Sequence, residues 1–360
     1  KRVNDTAGHG VGDRLLESVA QRLQACVRRE DTVARLGGDE FAIILNDCDD
    51  AGKVGQLATQ LLAALAVPHV LDGIEFRTSA SIGIAFAPRD GDSVELLLRN
   101  SDIAMYRAKD QGRGRAVFFS QDMHALMQRR LSIEAGLRTA LVANQLQLRY
   151  QPIVSDERIV GCEALLRWIQ PSGAEISPAL FIPVAEDSDL IVAIGDWVLQ
   201  QACRDYARWR DAGIAPAYVS VNVAPRQLRD PDIADRIRAV LDEYRIPPTA
   251  LQLEITESAI GDSVEAERRL RLISLHGVRL ALDDFGTGYS SLSHLHRYPF
   301  NVVKIDRSFV LELTTSRVAR QLVRAIIQMA LGLDLPVIAE GVQSMAQRDM
   351  LLALGCHSMQ

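Results

Sequence analysis

Between Val11 and Arg29 the apolar residues Val11, Leu15, Leu16, Val19, Leu23, Cys26 and Val27 recur at helical spacing, with Arg, Glu and Gln between them, which predicts an amphipathic helix. The stretch Arg35–Asp47 (RLGGDEFAIILND) then places a Gly-Gly turn before the apolar run Phe41–Leu45, the pattern of a turn feeding a buried strand. A second helix is expected over Ala51–Ala66, a strand over Thr78–Ala87, a helix over Ser93–Lys109 and a strand over Ala116–Phe119. Helices and strands in this order suit one antiparallel-capable sheet. Residues Gln121–Asn144 read as a helical connector, with a domain boundary near Ser120.

Beyond the connector the pattern changes to short apolar strands alternating with helices. The strands are expected at Leu146–Val154, Ile159–Trp168, Tyr218–Ala224, Leu251–Ser258, Arg279–Phe285, Asn301–Asp306 and Pro336–Val342, with Cys356–Gln360 as an eighth. Such alternation builds a parallel sheet, and about eight repeats close a TIM-like (β/α)8 barrel whose active site lies at the strand C-termini. The chain is thus expected to be α/β, with a smaller α+β domain over 1–120, a connector over 121–145 and a barrel over 146–360.

Those strand ends carry Glu163, Asn222, Glu254, Asp283 with Asp284, Lys304, Glu340 and Gln360. Taken singly, an acid at a strand end is usually solvated or caps the next helix. Taken together, barrel closure gathers them into one ring of oxygen donors, which suits hard divalent cations such as Mg²⁺ or Mn²⁺. Adjacent Asp283 and Asp284 repel each other unless cations neutralise them, and a carboxylate shared by two ions fits two-metal phosphodiester hydrolysis.

The order EALLRW (Glu163–Trp168), SVNVAP (Ser220–Pro225), LEITES (Leu253–Ser258), DDFGTGYSSL (Asp283–Leu292), VKIDRSF (Val303–Phe309) and AEGV (Ala339–Val342) resembles the EAL-domain cyclic di-GMP phosphodiesterases over Leu146–Gln360. The resemblance implies that Glu163, Asn222, Glu254 and Asp283 bind one metal, that Asp283 and Asp284 hold a second, and that Gln360 is a further residue of the metal site. It also implies that Lys304 orients or activates the attacking water, with Glu340 near it, and that Arg167 and Gln151 contact substrate. The resemblance further implies that Glu257 braces the DDFGTGYSSL loop and that the product is linear pGpG. Gln343 departs from the acidic residue many members carry there, and the family's closing aromatic segment is expected beyond Gln360.

The turn Gly37-Gly38-Asp39-Glu40-Phe41, with Asn4-Asp5, Gly8–Asp13 and Tyr106–Arg113, resembles the GGDEF diguanylate cyclases over residues 1–120. This implies guanine recognition by Asn4 and Asp13, metal and catalytic duties for Asp39 and Glu40, triphosphate contacts from Lys109 and Arg113, and an inhibitory product site at Arg28 and Asp31. For the last pair a plain surface ion pair is the alternative. GTP with Mg²⁺ is the expected ligand set, and a homodimer the expected assembly. The family's first strand, with a further metal-binding Asp, is expected before Lys1, and a sensory domain upstream of it.

Composition narrows the alternatives. A net charge of -6 and a pI near 5.7 argue against binding nucleic-acid polymers, which needs a positive surface. The 5 cysteines lack CxxC spacing, so neither a disulfide framework nor a zinc site is expected, and a reducing cytoplasm fits, with membrane anchoring left to segments outside this sequence. His294 and His296, two apart on an expected helix, point to different faces; Trp168, Trp197 and Trp209 read as packing, and Arg268, Arg269 and Arg271 as a solvated helix face. The competing readings are a non-catalytic receptor for the dinucleotide, and a cyclase whose second domain is silent.

Overall fold

The computed structural model describes residues 9–48, 50–260, 264–286, 295 and 297–360. It divides into two units, Lys1–Leu131 and Ser132–Gln360. Among the described residues, no helix is long and apolar enough to cross a membrane.

The first unit contains α1 (His9–Cys26), the hairpin β1 (Thr32–Gly37) and β2 (Glu40–Ile44), α2 (Ala51–Ala66), β3 (His69–Leu71), β4 (Ile74–Phe76), β5 (Ile82–Ile84), α3 (Val94–Asp110) and β6 (Ala116–Phe118). Helix α2 starts where expected because the Asp50 carboxylate accepts the Gly52 and Lys53 amides at 2.8 and 3.2 Å. Ser93 does the same for α3 through the Leu96 amide. The core joins Leu23 to Leu61 and Leu65, with Val33, Phe41, Ile43 and Ile82 packed against them.

Three expectations fail here. The strands form three separate two-stranded sheets among the described residues, β1–β2, β3–β4 and β5–β6, the last parallel. The strand after the Gly-Gly turn is also not buried: Phe41–Ile43 are half-covered and Ile44 is 60% exposed, because this hairpin packs one face only. The strand expected over Thr78–Ala87 contracts to Ile82–Ile84, the span that pairs with β6. At Gly83 the backbone presses on α3 so closely that a Cβ would lie 1.9 Å from the Ser101 carbonyl.

Helix α4 (Gln121–Val142) spans the division between the units, so the expected connector is one continuous helix. Its C-terminal half buries Ile133, Leu137 and Ala140 in the second unit's core. There follow β7 (Leu146–Ser155), β8 (Arg158–Ile169), β9 (Glu175–Ile176), α5 (Pro178–Asp187), α6 (Leu190–Asp211), β10 (Tyr218–Asn222), α7 (Ile233–Tyr244), β11 (Leu251–Thr256), α8 (Glu257–Ile260), α9 (Val264–Leu275), β12 (Arg279–Phe285), β13 (Val302–Ile305), α10 (Arg307–Leu311), α11 (Arg317–Gly332), β14 (Val337–Ala339), α12 (Met345–Leu354) and β15 (Ser358–Met359).

Eight of these strands close a barrel in the order β8-β10-β11-β12-β13-β14-β15-β7, with β7 returning to β8. The all-parallel expectation is corrected at one strand. β7 runs antiparallel to both neighbours, since a two-residue turn joins it to β8 and a short hairpin can only reverse the chain.

The barrel has two apolar layers. One packs strands against helices; the other, Ile153, Tyr218, Ala281, Val302 and Ile338, lines the interior. Side chains two residues apart share a strand face, so Ala281, Val302 and Ile338 put Asp283, Lys304 and Glu340 on the interior side, one step nearer the strand C-termini. The apolar layer is therefore the floor beneath the charged residues.

Candidate active site

Lys304 is the centre of this charged layer. Its side chain is 0% exposed, and its Nζ lies 2.6 Å from Glu254, 3.4 Å from Glu163 and 3.5 Å from Asp283, with Glu340 also in direct contact. Asn222 donates to the other Glu163 oxygen at 2.7 Å, and Gln360 donates to the oxygen that Lys304 also touches. Barrel closure thus brings together Glu163, Asn222, Glu254, Asp283, Lys304, Glu340 and Gln360 from seven strands or strand ends.

The electrostatics follow from too much negative charge around one ammonium. Burial works against the charge on Lys304, but the carboxylates of Glu254, Asp283, Glu163 and Glu340 outweigh it and hold the lysine well above its usual range. Burial also opposes ionisation of Glu163, yet Lys304 and the bonds from Gln360 and Asn222 bring it below its ordinary value. Glu254, fully buried, is driven up by desolvation and by its neighbours Glu163 and Asp283, more than Lys304 can offset. Desolvation raises Glu340 to about 7, against the pull of Lys304 and with help from Asp283. Asp284 is raised by burial and by adjacent Asp283.

Asp284 sits at φ 52, an unfavourable left-handed conformation for a non-glycine residue, and its amide donates to Asp283 Oδ1 at 3.0 Å. Gly286 follows at φ 101, where a Cβ would strike the Phe309 ring at 2.9 Å. Residues 287–292 of the expected closing loop, including Gly288, and both His294 and His296, lie outside the described residues. Glu257 begins α8 directly after β11; the loop it was expected to brace is not described.

Of the expected substrate contacts, Gln151 is exposed and pairs in register with Glu163 across β7 and β8. Arg167 is held by Glu175 at 3.2 Å, and Glu175 also pairs with Arg149 at 3.0 Å. Glu175 was not singled out from sequence. It lies on a two-residue strand that only its pairing with β8 creates, so no local pattern marks it.

Among the described residues, no three His, Cys, Asp or Glu side chains are arranged to hold a metal ion as they stand. The donor chemistry nevertheless fits a hard divalent cation. The ring offers carboxylate and amide oxygens, its carboxylates outnumber the one Lys304 ammonium, and Glu254 Oε1 and Gln360 Oε1 are buried with no hydrogen-bond partner.

In the first unit, Gly38 at φ 52 forms a two-residue turn, with Gly37 paired to Glu40, and leaves Asp39 and Glu40 exposed. Glu40 belongs to the strand rather than the turn. Arg35 braces this turn through two bonds to the Gly38 carbonyl, at 2.8 and 3.0 Å. Asp13 is exposed on α1, Lys109 lies in the last turn of α3, and Arg113 follows it at φ 59. Asn4 lies outside the described residues. Asp31 accepts the Arg28 amide at 2.9 Å and the Asn46 amide at 3.1 Å, so its carboxylate ties the turn after α1 to the end of β2. Arg28 and Asp31 both line one cleft with Cys26, Asn46, Cys48 and Lys53.

A closed α/β barrel with carboxylates, amides and a buried lysine at its strand C-termini defines the class: a TIM-like barrel with an acidic, cation-compatible centre. Residues 134–360 match the EAL domain family model, and the chain belongs to that family. Residues 1–115 match the model described as Diguanylate cyclase, GGDEF domain.

The chain is 43% identical to the bifunctional diguanylate cyclase/cyclic di-GMP phosphodiesterase MucR of Pseudomonas aeruginosa over 100% of its own length and 53% of that protein. It is 38% identical to the cyclic di-GMP phosphodiesterase PdeR of Escherichia coli, over 100% of this chain and 54% of that one. The chain therefore spans about half the length of these curated relatives. The solved structure described as PaMucR phosphodiesterase, c-di-GMP complex, matches with TM-score 0.62 and 41% identity, covering 64% of this chain and 94% of that one.

Proposed function

We propose that the barrel unit hydrolyses cyclic di-GMP to linear pGpG. The observation that carries this reading is the buried ammonium of Lys304 among Glu163, Glu254, Asp283 and Glu340 at the mouth of the barrel. Relatives with phosphodiesterase names and a similar solved structure described as a phosphodiesterase in complex with c-di-GMP support the choice of substrate.

Glu163, Asn222, Glu254 and Asp283 would hold one divalent cation, Asp283 and Asp284 a second, with Gln360 beside them. Bound Mg²⁺ or Mn²⁺ supplies a water of near-neutral pKa and charge neutralisation at the phosphodiester. Lys304, kept protonated, donates hydrogen bonds that orient the attacking water. Glu340, in direct contact with Lys304, would be placed to accept a proton from the attacking water. Water oxygen adds to phosphorus, one P–O ester bond breaks, and the leaving sugar oxygen ends as a hydroxyl. Arg167, aligned by Glu175, would meet a substrate phosphate.

The test is chromatography of products after incubating the purified protein with cyclic di-GMP and Mg²⁺ or Mn²⁺. The expected result is pGpG, lost with chelator and in Glu163→Ala. Intact dinucleotide bound but not cleaved would favour a receptor. A second reading, GTP binding or cyclisation by the first unit of the parent protein, is supported by the exposed Asp39-Glu40 hairpin and the match of residues 1–115. Its test is cyclic di-GMP formation from GTP, abolished in Glu40→Ala.

A further inference from the structure

The segment that leaves β14 with Glu340 is held by a residue outside the charged ring. Gln347, buried on α12, accepts the amides of Gln343 and Ser344 on Oε1 at 2.8 and 3.0 Å. Its Nε2 donates to the Val310 carbonyl at 3.1 Å. Val310 belongs to α10, which starts just past β13 and is capped by Asp306 through the Ser308 amide at 3.0 Å. One glutamine thus ties the segment following Glu340 to the helix following Lys304.

The same two segments meet at a second point. Gly341 has φ 69, and a Cβ there would lie 2.5 Å from Arg307 Cγ, so only glycine lets the Arg307 stem lie against it. Between these two fastenings and the barrel, the Glu340 amide donates to the Ile305 carbonyl at 3.2 Å. Glu340 and Lys304, in direct contact, are therefore carried on segments joined by Gly341–Arg307 on one side and Gln347–Val310 on the other.

Helix capping explains only part of this. Ser344 Oγ accepts the Gln347 amide at 3.3 Å, and the pair forms a capping box that uses Gln347 Oε1. A cap needs neither the Nε2 bond to a different helix nor burial of the amide. We propose that Gln347 is a positioning residue: its amide group fixes the Glu340 segment against the Lys304 segment and so sets the Glu340–Lys304 geometry for turnover.

The proposal rests on the hydrolase reading for its kinetic test, so the test also includes a measurement that does not. Gln347→Glu keeps the acceptor for both amides but sets an oxygen against the Val310 carbonyl, whereas Ser344→Ala breaks the cap and leaves the Val310 bond. With cyclic di-GMP and saturating Mn²⁺, Gln347→Glu should lower kcat about 10- to 100-fold with KM nearly unchanged, as loss of a supporting shell does. Ser344→Ala should lower Tm and leave kcat intact. Equal loss of Tm in both with kcat retained overturns the proposal. If Gln347→Glu does not fold, Gly341→Ala opens the same seam; the same fall in kcat supports the proposal, and an unchanged kcat overturns it. If the wild type does not turn over cyclic di-GMP, the hydrolase reading fails alone. Deuterium uptake over residues 338–342 then decides: higher in Gln347→Glu (or in Gly341→Ala, if that variant does not fold) than in Ser344→Ala supports the role, and equal uptake overturns it.

Discussion

Replacing Glu340 by Gln should stabilise the metal-free protein at alkaline pH while removing activity. Glu340 rises from 4.5 to about 7 through burial, opposed by Lys304. At 1.36 kcal/mol per unit, the native state disfavours the ionised carboxyl by about 3 kcal/mol once pH exceeds 7. The side chain is 20% exposed, so solvent screening removes little of this. Because the folded value is raised, the associated stability is fully present below about 4.5 and is lost as pH climbs through about 7. Glutamine mimics the protonated form and still accepts from Lys304, so the variant avoids that loss.

The assay is thermal unfolding of the full chain in chelator, followed from pH 4.5 to 8. For a unit of this size about 3 kcal/mol corresponds to a Tm higher by roughly 6–12 °C at pH 8. The gap should shrink towards zero at the acid end. A variant less stable than wild type at pH 8, or a gap independent of pH, would refute the reasoning that burial of the Glu340 carboxyl, beyond what Lys304 offsets, is the source of the shift.

Gly136→Ala should destabilise the barrel unit by about 1–3 kcal/mol, read as a lower Tm, because overpacking is costly where the neighbour cannot yield. The added Cβ would lie 2.8 Å from Trp168, which is 1% exposed and anchored by its indole N–H to Gln145 at 3.2 Å. Thiol titration of the native protein should label Cys26 and Cys48, which are partly exposed, and spare the buried Cys162, Cys203 and Cys356 until denaturant is added. Burial pushes Cys162 and Cys203 up to about 12 and Cys356 to about 11, so native labelling of those three would contradict the packing.

The site was more legible than the surrounding architecture, for a definite reason. Glu254, Asp283 and Lys304 are embedded in apolar strands, where a charge is costly unless partners are gathered around it, and that conflict is visible in one dimension. The direction of β7 shows in sequence only through the short link Ser155–Arg158 before the next expected strand, too short for a parallel crossover; its pattern of burial would read the same in either orientation. The first unit was harder again, since β3, β4, β5 and β6 have 3 residues each and such short runs leave sheet membership to tertiary pairing.

Residues that violate the local pattern announced themselves, whereas residues that satisfy it did not. Gln347 is the instructive case: Ser344-x-x-Gln347 before an apolar helix reads as a capping box, and the structure does contain that box. Its second bond, to Val310, lies 37 residues away and leaves no trace in local sequence. A polar side chain that completes a local motif has its burial already explained, so a further role becomes visible only when each of its hydrogen bonds is assigned separately. Carboxylates such as Glu254 offer no such local explanation, and their partners must come from strands distant in sequence. In this barrel, charged chemistry is therefore readable from pattern violations, while the amides that align it emerge from the folded hydrogen-bond network.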